Sequence, residues 1–383
     1  MPLLPDRPEL LPLGKWCSES SPHNTASHFR HFTRGRYALG EAYRLCGVGY
    51  EGSLLAPAYH CLTMLDPAIA LGADIQLYPL HPDLSPDLEK LDALLAIAKK
   101  PAKALLATHF FGFAQDFTCL KQWCDQHNIA LIEDCSHVLF TENFQASGTG
   151  IFGKFVAASP YKFFACENGG LLHSSGEHLL DNVATKPAGL TQELRGIKRT
   201  IEKYRAAGSM TSEIALIDQQ LETLSTSPLV TADEQIAPYS RPSSMYSPAE
   251  AKTAALRSSR FIASHASIGE IISRRQCNYL RWAKATARLP NCRPLYPDLP
   301  ENCAPYMFPL HIDQPTPHFY WLKHLGLPVW RWDEMAVSNC PVAQDYRLHL
   351  LHLPCHQSLT TDQMDWMISA LQKTLRHPAQ GTQ

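Results

Sequence analysis

Short apolar runs alternate with helical or turn segments between residues 36 and 173, and this alternation limits the possible folds more than any other feature. Strand candidates fall at 54–59, 75–80, 103–109, 130–133, 155–158 and 171–173. Helix candidates fall at 36–46, 62–71, 88–99 and 120–127. Strands separated by helices need crossover connections, and these build a largely parallel sheet covered by helices on both faces. The expectation is an α/β fold. Ligands in such sheets bind beyond the carboxyl ends of the strands. Attention therefore goes to Tyr59-His60, to residues 109–112, to residues 134–137 and to residues 159–162.

At 383 residues the chain is long enough for two domains of roughly 100–200 residues each. Residues 1–30 read as an irregular leader. Composition shifts near residue 180: residues 191–225 are polar with a helical pattern, and residues 226–248 are rich in Ser, Thr and Pro. The expected division is a large domain over 1–235, with a helical insertion at 185–225, and a small domain over 236–383. Ser247 and Pro248 suit the N-cap and first position of a helix running to Trp282, bent at Gly269. A last helix spans 361–376, capped by Thr360 or Thr361.

Thirty-four basic against 36 acidic residues give a net charge of -2, which argues against nucleic-acid binding. No run of about 18 apolar residues is present, so no membrane-spanning helix is expected. The N-terminal residues lack a basic start and a long apolar stretch, so no signal peptide is expected. The twelve cysteines form no Cys-x-x-Cys pair and read as reduced thiols of a cytoplasmic protein. The histidines show no metal-ligand spacing, and no metal is expected.

Two segments carry chemistry. Ile132-Glu-Asp-Cys-Ser-His ends a strand in an acidic pair, and Ser159-Pro-Tyr-Lys follows the next strand. Pyridoxal phosphate needs this combination: a lysine to form a Schiff base and a carboxylate to hold its pyridine nitrogen protonated. Burial and nearby cationic groups favour the neutral, nucleophilic form of the lysine. Gly35, at the opening of a helix, offers backbone N–H groups to a phosphate. His109 is read as shaping its strand end, and Trp330-Arg-Trp as a packed surface cluster.

Six segments, in order, resemble the DegT/DnrJ/StrS family of pyridoxal-phosphate aminotransferases. They are Gly35-Arg-Tyr-Ala-Leu, Leu55-Ala-Pro-Ala-Tyr-His, Thr108-His-Phe-Phe-Gly, Ile132-Glu-Asp-Cys-Ser-His, Ser159-Pro-Tyr-Lys with Asn168-Gly-Gly, and Leu353-Pro-Cys-His-Gln-Ser-Leu-Thr. The resemblance implies a fold type I transferase: a large domain with a mostly parallel sheet between helices, plus a smaller C-terminal α+β domain. It implies that Lys162 is the Schiff-base lysine and proton shuttle, and that Asp134 pairs with the pyridine nitrogen. It places His137 near the cofactor's phenolic oxygen, Gly35, Arg36 and Tyr37 at the phosphate, and His60 or Cys61 against the ring face. It implies an amino donor such as glutamate, a ketone or aldehyde acceptor that is often a keto sugar, and a homodimer. The usual phosphate serine is replaced by Ala157, and Ser159 is the candidate substitute. Arg36 stands where Thr or Ser is usual, and the family's Asn-x-Arg-Met segment appears only as Ser243-Ser-Met-Tyr. Other pyridoxal-phosphate chemistry (elimination, aldol or decarboxylation) and a non-catalytic cofactor- or sugar-binding regulator stay open as alternatives.

Overall fold

The computed structural model describes residues 4–9, 28–206, 213–227, 240–301 and 303–378. The N-terminal part carries β1 (Phe29–Phe32), α1 (Gly35–Leu45), β2 (Ser53–Pro57), α2 (Leu62–Ala70), β3 (Ile75–Tyr78), α3 (Leu91–Ala96), β4 (Ala102–Thr108), α4 (Thr118–Gln126), β5 (Ala130–Cys135), β6 (Phe155–Ala158) and β7 (Gly170–His173). These strands form one seven-stranded sheet in the order β1-β7-β6-β5-β4-β2-β3. From β3 to β6 neighbouring strands are parallel; β7 is antiparallel to both β6 and β1.

Strand alternation feeds two layers. Leu55 of β2, Leu105 and Ala107 of β4 and Leu131 of β5 enter one core; Leu54, Ala56, Ala104, Leu106 and Ile132 enter the other. Because both faces are covered, these strands read as continuous apolar runs. Helix α1 buries Tyr37, Ala38, Leu39, Ala42 and Tyr43 against the second layer. It ends at Cys46, and Gly47 follows with φ of 81°.

The remainder comprises α5 (Leu190–Ala206), α6 (Ile217–Ser225), α7 (Arg257–His265), α8 (Ile268–Thr286), β8 (Cys292–Pro294), β9 (Met307–Ile312), α9 (Pro315–Leu325), α10 (Pro341–His349), β10 (Leu350–Pro354) and α11 (Thr361–Arg376). The second sheet is antiparallel, in the order β10-β9-β8. Its apolar core, with Phe308, Leu351, Trp282 and Trp366, is continuous with the Leu55 and Leu105 layer of the large sheet. In α11, Thr360 and Gln363 form a reciprocal capping box.

Three expectations change. The leader is not irregular throughout, because residues 29–32 form β1 beside β7. Its half-buried Arg30 and His31 hid the strand from an apolar-run reading. The run from Pro248 to Trp282 is not one bent helix: a single 3-10 turn spans Pro248–Glu250, and the break between α7 and α8 falls at Ala266-Ser267. There Ala266 is extended and Ser267 starts a new helix with Glu270 in its first turn, while Gly269 lies inside α8. The 88–99 helix is shorter: a 3-10 turn at Leu88–Lys90 followed by α3. Residues 1–3 and 10–27 of the expected leader, and 228–239 of the Ser/Thr/Pro segment, lie outside the described residues. No helix among the described residues is long and apolar enough to cross a membrane.

Candidate active site

The carboxyl ends of β4, β5 and β6 and the start of α1 converge on one pocket. Gly35, Arg36, Asp134, His137, Ser159 and Lys162 all line it, together with Arg34, Cys61, Thr108, Ser136 and Tyr161. Tyr37 and His60 do not line it. The Tyr37 hydroxyl accepts from the Ser247 backbone N–H at 3.1 Å, which turns its ring away. His60 is fully buried, with Nδ1 bonded to the Pro57 and Ala58 carbonyls and Nε2 accepting from the Ala336 N–H at 3.1 Å. Both ring nitrogens are thus committed, and Cys61 takes the pocket position.

Asp134 sits at the end of β5, where strand alternation points it away from Glu133. Its Oδ1 accepts from the Ser136 N–H at 2.8 Å. Burial raises its pKa above the usual carboxylate value, and the Lys162 charge and Ser136 work against that rise. Lys162 closes a 3-10 turn opened by Pro160, and its N–H donates to the Ser159 carbonyl at 3.0 Å. Its Nζ lies 5.2 Å from the centre of the Tyr306 ring. Burial pulls the Lys162 pKa down, but coupling to Tyr306, Tyr161 and Asp134 outweighs it and leaves the pKa raised. These neighbours offset the burial that would favour the neutral amine.

His137 is held neutral: burial lowers its pKa well below the usual value, and the Lys162 charge adds to the effect. Its ring packs against Tyr306 at 4.5 Å and Trp332 at 5.6 Å between centroids, and its Nδ1 accepts from the Phe111 N–H. The Tyr59 hydroxyl and His352 Nε2 meet at 2.8 Å behind the same aromatic wall.

The rim at α1 is tight. A Cβ on Gly35 would lie 2.1 Å from Ser159 Oγ and 3.2 Å from Ser136 Oγ. Those two hydroxyls are themselves 3.0 Å apart. The Tyr37 and Ala38 N–H groups turn back onto the Arg34 carbonyl at 3.1 and 3.5 Å, and the positive end of the α1 dipole faces this rim, which favours an anion. Two polar atoms among the lining residues are buried without a partner, Thr108 Oγ1 and one terminal guanidinium nitrogen of Arg34. Arg34 also packs over the Tyr161 ring at 4.6 Å. Arg36 is drawn elsewhere and donates to the Met245 carbonyl. The Ser243-Ser-Met-Tyr segment is thus fastened to α1 and α2, with Ser243 bonded to Asp66 through both N–H and hydroxyl.

The sequence reading missed Arg34, Thr108, Ser136, Tyr306 and Arg275. Arg275 is fully buried on α8 and donates to the Lys162 carbonyl (2.9 Å), the Pro305 carbonyl (2.9 Å) and Gln357 Oε1 (2.8 Å). Gln357 in turn donates to the Phe163 carbonyl. The lysine turn is thereby pinned from the C-terminal part of the chain. The expected role of His109 agrees with its surroundings: Nδ1 accepts from the Gln115 N–H, and Nε2 donates to Glu133 at 2.8 Å. Burial would raise the Glu133 pKa, but His109 and the loop N–H groups of Gly150 and Gly153 reverse the effect and lower it. Arg331 is packed as expected, bonded to Asp333 and lying over Phe319.

A parallel sheet that gathers a lysine, a buried carboxylate and a helix N-terminus at its carboxyl edge defines the architecture of fold type I transferases. Solved structures agree on the fold. An aminotransferase TlmJ from Streptoalloteichus hindustanus superposes with a TM-score of 0.62 at 16% identity, covering 91% of this chain and 86% of that one. S. venezuelae DesV, solved with a ketimine intermediate, gives 0.60 at 17% identity, covering 92% and 85%. Residues 23–220, just over half of the chain, match the profile of the DegT/DnrJ/EryC1/StrS aminotransferase family, and the chain belongs to it. Among curated relatives, an L-glutamine:2-deoxy-scyllo-inosose aminotransferase from Streptomyces kanamyceticus is 29% identical over 133 residues, 34% of this chain and 30% of the relative. A GDP-perosamine synthase from Vibrio cholerae is 26% identical over 163 residues, 40% of this chain and 42% of the relative. The matches span less than half the length of these curated relatives.

Proposed function

We propose that this protein is a pyridoxal-phosphate-dependent aminotransferase that moves an amino group from a donor amino acid, glutamate by family resemblance, to the carbonyl of a keto-sugar-type acceptor. The observation that carries the reading is the convergence of Lys162, Asp134, His137, Ser159 and the α1 N-terminus on one pocket. The donor set fits the cofactor. The α1 N–H groups, the Ser136 and Ser159 hydroxyls and the unpartnered Arg34 nitrogen suit a phosphate, and Asp134 suits a protonated ring nitrogen. Pyridoxal phosphate supplies a carbonyl that condenses with amines and a ring that withdraws electrons from the substrate carbon.

The chain's own groups have distinct parts in this reading. Asp134, anionic beside the Lys162 charge, holds a proton on its ligand by charge-assisted hydrogen bonding. Lys162 would hold the cofactor through Nζ, and the same nitrogen, when free, would accept and return a proton as general base and then general acid. Neutral His137 offers a hydrogen bond without adding charge. Tyr306 and Trp332 exclude water from the lysine side of the pocket. The large domain to about residue 235 binds the cofactor, the small domain closes the site, and the assembly is a homodimer.

The test is borohydride reduction of the purified protein with pyridoxal phosphate, followed by peptide mass mapping and by absorbance titration with glutamate. A cofactor adduct on the Lys162 peptide, absent in Lys162→Ala, together with a spectral change on adding glutamate, supports the reading. An adduct elsewhere, or none, overturns it. An adduct that no amino acid alters points to the regulator alternative.

A further inference from the structure

A second cluster of chemistry-bearing side chains lies outside the lysine pocket. His311 is on β9, while Asp345 and His349 are one turn apart on α10. One ligand atom from each lies within 4.8 Å of the other two. His311 Nε2 is 2.9 Å from Asp345 Oδ2, His349 Nδ1 donates to the Asp345 backbone carbonyl at 3.0 Å and lies 3.2 Å from Asp345 Oδ1, which leaves His349 Nε2 as its free ring nitrogen, and the two imidazoles stack at 5.4 Å with an 11° interplanar angle. None of the three lines the Lys162 pocket.

We propose that His311, Asp345 and His349 form a binding site for a late first-row divalent cation, with Zn²⁺ as its occupant. Two imidazoles and a carboxylate are a common three-ligand set for Zn²⁺, with water in the fourth position. Tetrahedral bonds of about 2.0–2.2 Å need ligand atoms roughly 3.4 Å apart, so the three groups are already close to the required spacing.

The state of His311 supplies an independent argument. A carboxylate only accepts, so the bond to Asp345 places the His311 proton on Nε2. Nδ1 is then a bare acceptor, and it is buried with no partner. Coordination through Nε2 moves that proton to Nδ1, where Asp313 Oδ1 stands 3.8 Å away. The orphaned atom thereby faces a carboxylate with a proton to give, and a small approach of Asp313 completes the carboxylate–histidine–metal arrangement that metal-binding histidines adopt. Arg293, across the strand pair from His311, faces Asp313 and compensates part of its charge.

His109, Glu133 and Cys135 also approach one another, but that cluster is closed. Both His109 nitrogens are bonded, and Glu133 is occupied by His109 and three backbone N–H groups. At the His311 site Asp345 and His349 are only half-buried, so a cation has an entry path. The sequence reading saw no metal spacing because His311 comes from 34 residues before Asp345. A bound cation would clip α10 to the small sheet.

The experiment uses the full chain with its cofactor, chelator-treated and kept reduced. Zn²⁺ is titrated against a chromophoric competitor, Co²⁺ absorption is recorded, and thermal midpoints are measured with and without Zn²⁺. The expected result is one equivalent bound with a rise in midpoint. Both are lost in His349→Ala and in Asp345→Asn, whose cofactor binding is unchanged. Asp313→Asn weakens binding by about 10- to 100-fold. Absence of saturable binding overturns the proposal. So does binding that survives in His349→Ala and Asp345→Asn, because the metal would then sit on other groups such as the cysteines.

Discussion

Lowering the pH from 7.5 to 5.5 is expected to destabilise this protein well before its carboxylates titrate. Three buried histidines carry the effect. Burial lowers the pKa of His60 to about 4, against partial support from the Pro57 and Ala58 carbonyls. Burial lowers His352 to about 3, with the Lys162 charge adding to it, and lowers His356 to about 3 despite its bond to the Pro5 carbonyl. Each folded pKa lies below the unfolded value of about 6.5, so on acidification the unfolded chain takes up protons first. Stability is therefore full above the unfolded pKa and is lost as pH falls toward the folded one. Integrated over this window, each histidine loses about 1.4 kcal/mol, and the three together about 4 kcal/mol. That is a large part of the roughly 5–15 kcal/mol that holds a typical domain. Burial shifts His137 and His173 the same way and adds to the loss. Urea unfolding followed by circular dichroism at both pH values, without cofactor, measures the difference. His356→Gln keeps a donor toward Pro5 and is expected to remove about 1.4 kcal/mol of the pH dependence. Equal stability at the two pH values, to within about 1 kcal/mol, would mean that these rings are hydrated or already charged, and the burial argument would fail.

Two other substitutions probe the site from opposite sides. Arg275→Met leaves the Lys162 and Pro305 carbonyls and Gln357 Oε1 buried without this donor, at about 1–3 kcal/mol for each unsatisfied group. Unfolding should show a loss of at least about 3 kcal/mol, and absorbance titration should show a shifted pH dependence of cofactor attachment at Lys162, which a purely global loss of stability does not produce. Gly170→Ala places a Cβ 2.2 Å from the Arg34 carbonyl oxygen and 2.7 Å from the Gly35 nitrogen, both backbone atoms that cannot rotate aside. The start of α1 must shift, and fluorescence titration should show at least about a tenfold loss of affinity for pyridoxal phosphate, with about 1–3 kcal/mol of overpacking cost. Unchanged affinity would exclude the α1 rim as the phosphate site.

The fold was legible where one strand face or helix face is uniformly apolar. Leu54 to Pro57, Ala104 to Ala107 and Phe155 to Ala158 are buried on both sides and announce themselves as apolar runs. At β1 that signal disappears, because Arg30 and His31 face partly polar surroundings at the edge of the sheet. The 249–282 stretch was misread for a related reason. Its composition suits a helix throughout, but the backbone turns extended at Ala266 and a new helix starts at Ser267, two residues before the glycine expected to bend it and without a side-chain cap bond.

The site divides along the same line. Lys162, Asp134, His137 and Gly35 follow strand ends or a helix start, and such positions are marked in the chain itself. Arg275, Tyr306 and Thr108 act through a third dimension that spacing does not encode: Arg275 reaches the Lys162 carbonyl from 113 residues away. What marks these residues is their energetic cost. A buried carboxylate with a raised pKa, a guanidinium nitrogen without a partner and an orphaned threonine hydroxyl each oppose folding. All three lie around one cavity, where the proposed function has a single charged ligand engage them. On the proposed function, a phosphate bearing a protonated ring would offer an anion to Arg34, a cation to Asp134 and an acceptor to Thr108. On that reading, the ligand binds only the folded chain, so the cofactor-bound protein should unfold later than the apo form by more than one hydrogen bond's worth, about 1 kcal/mol.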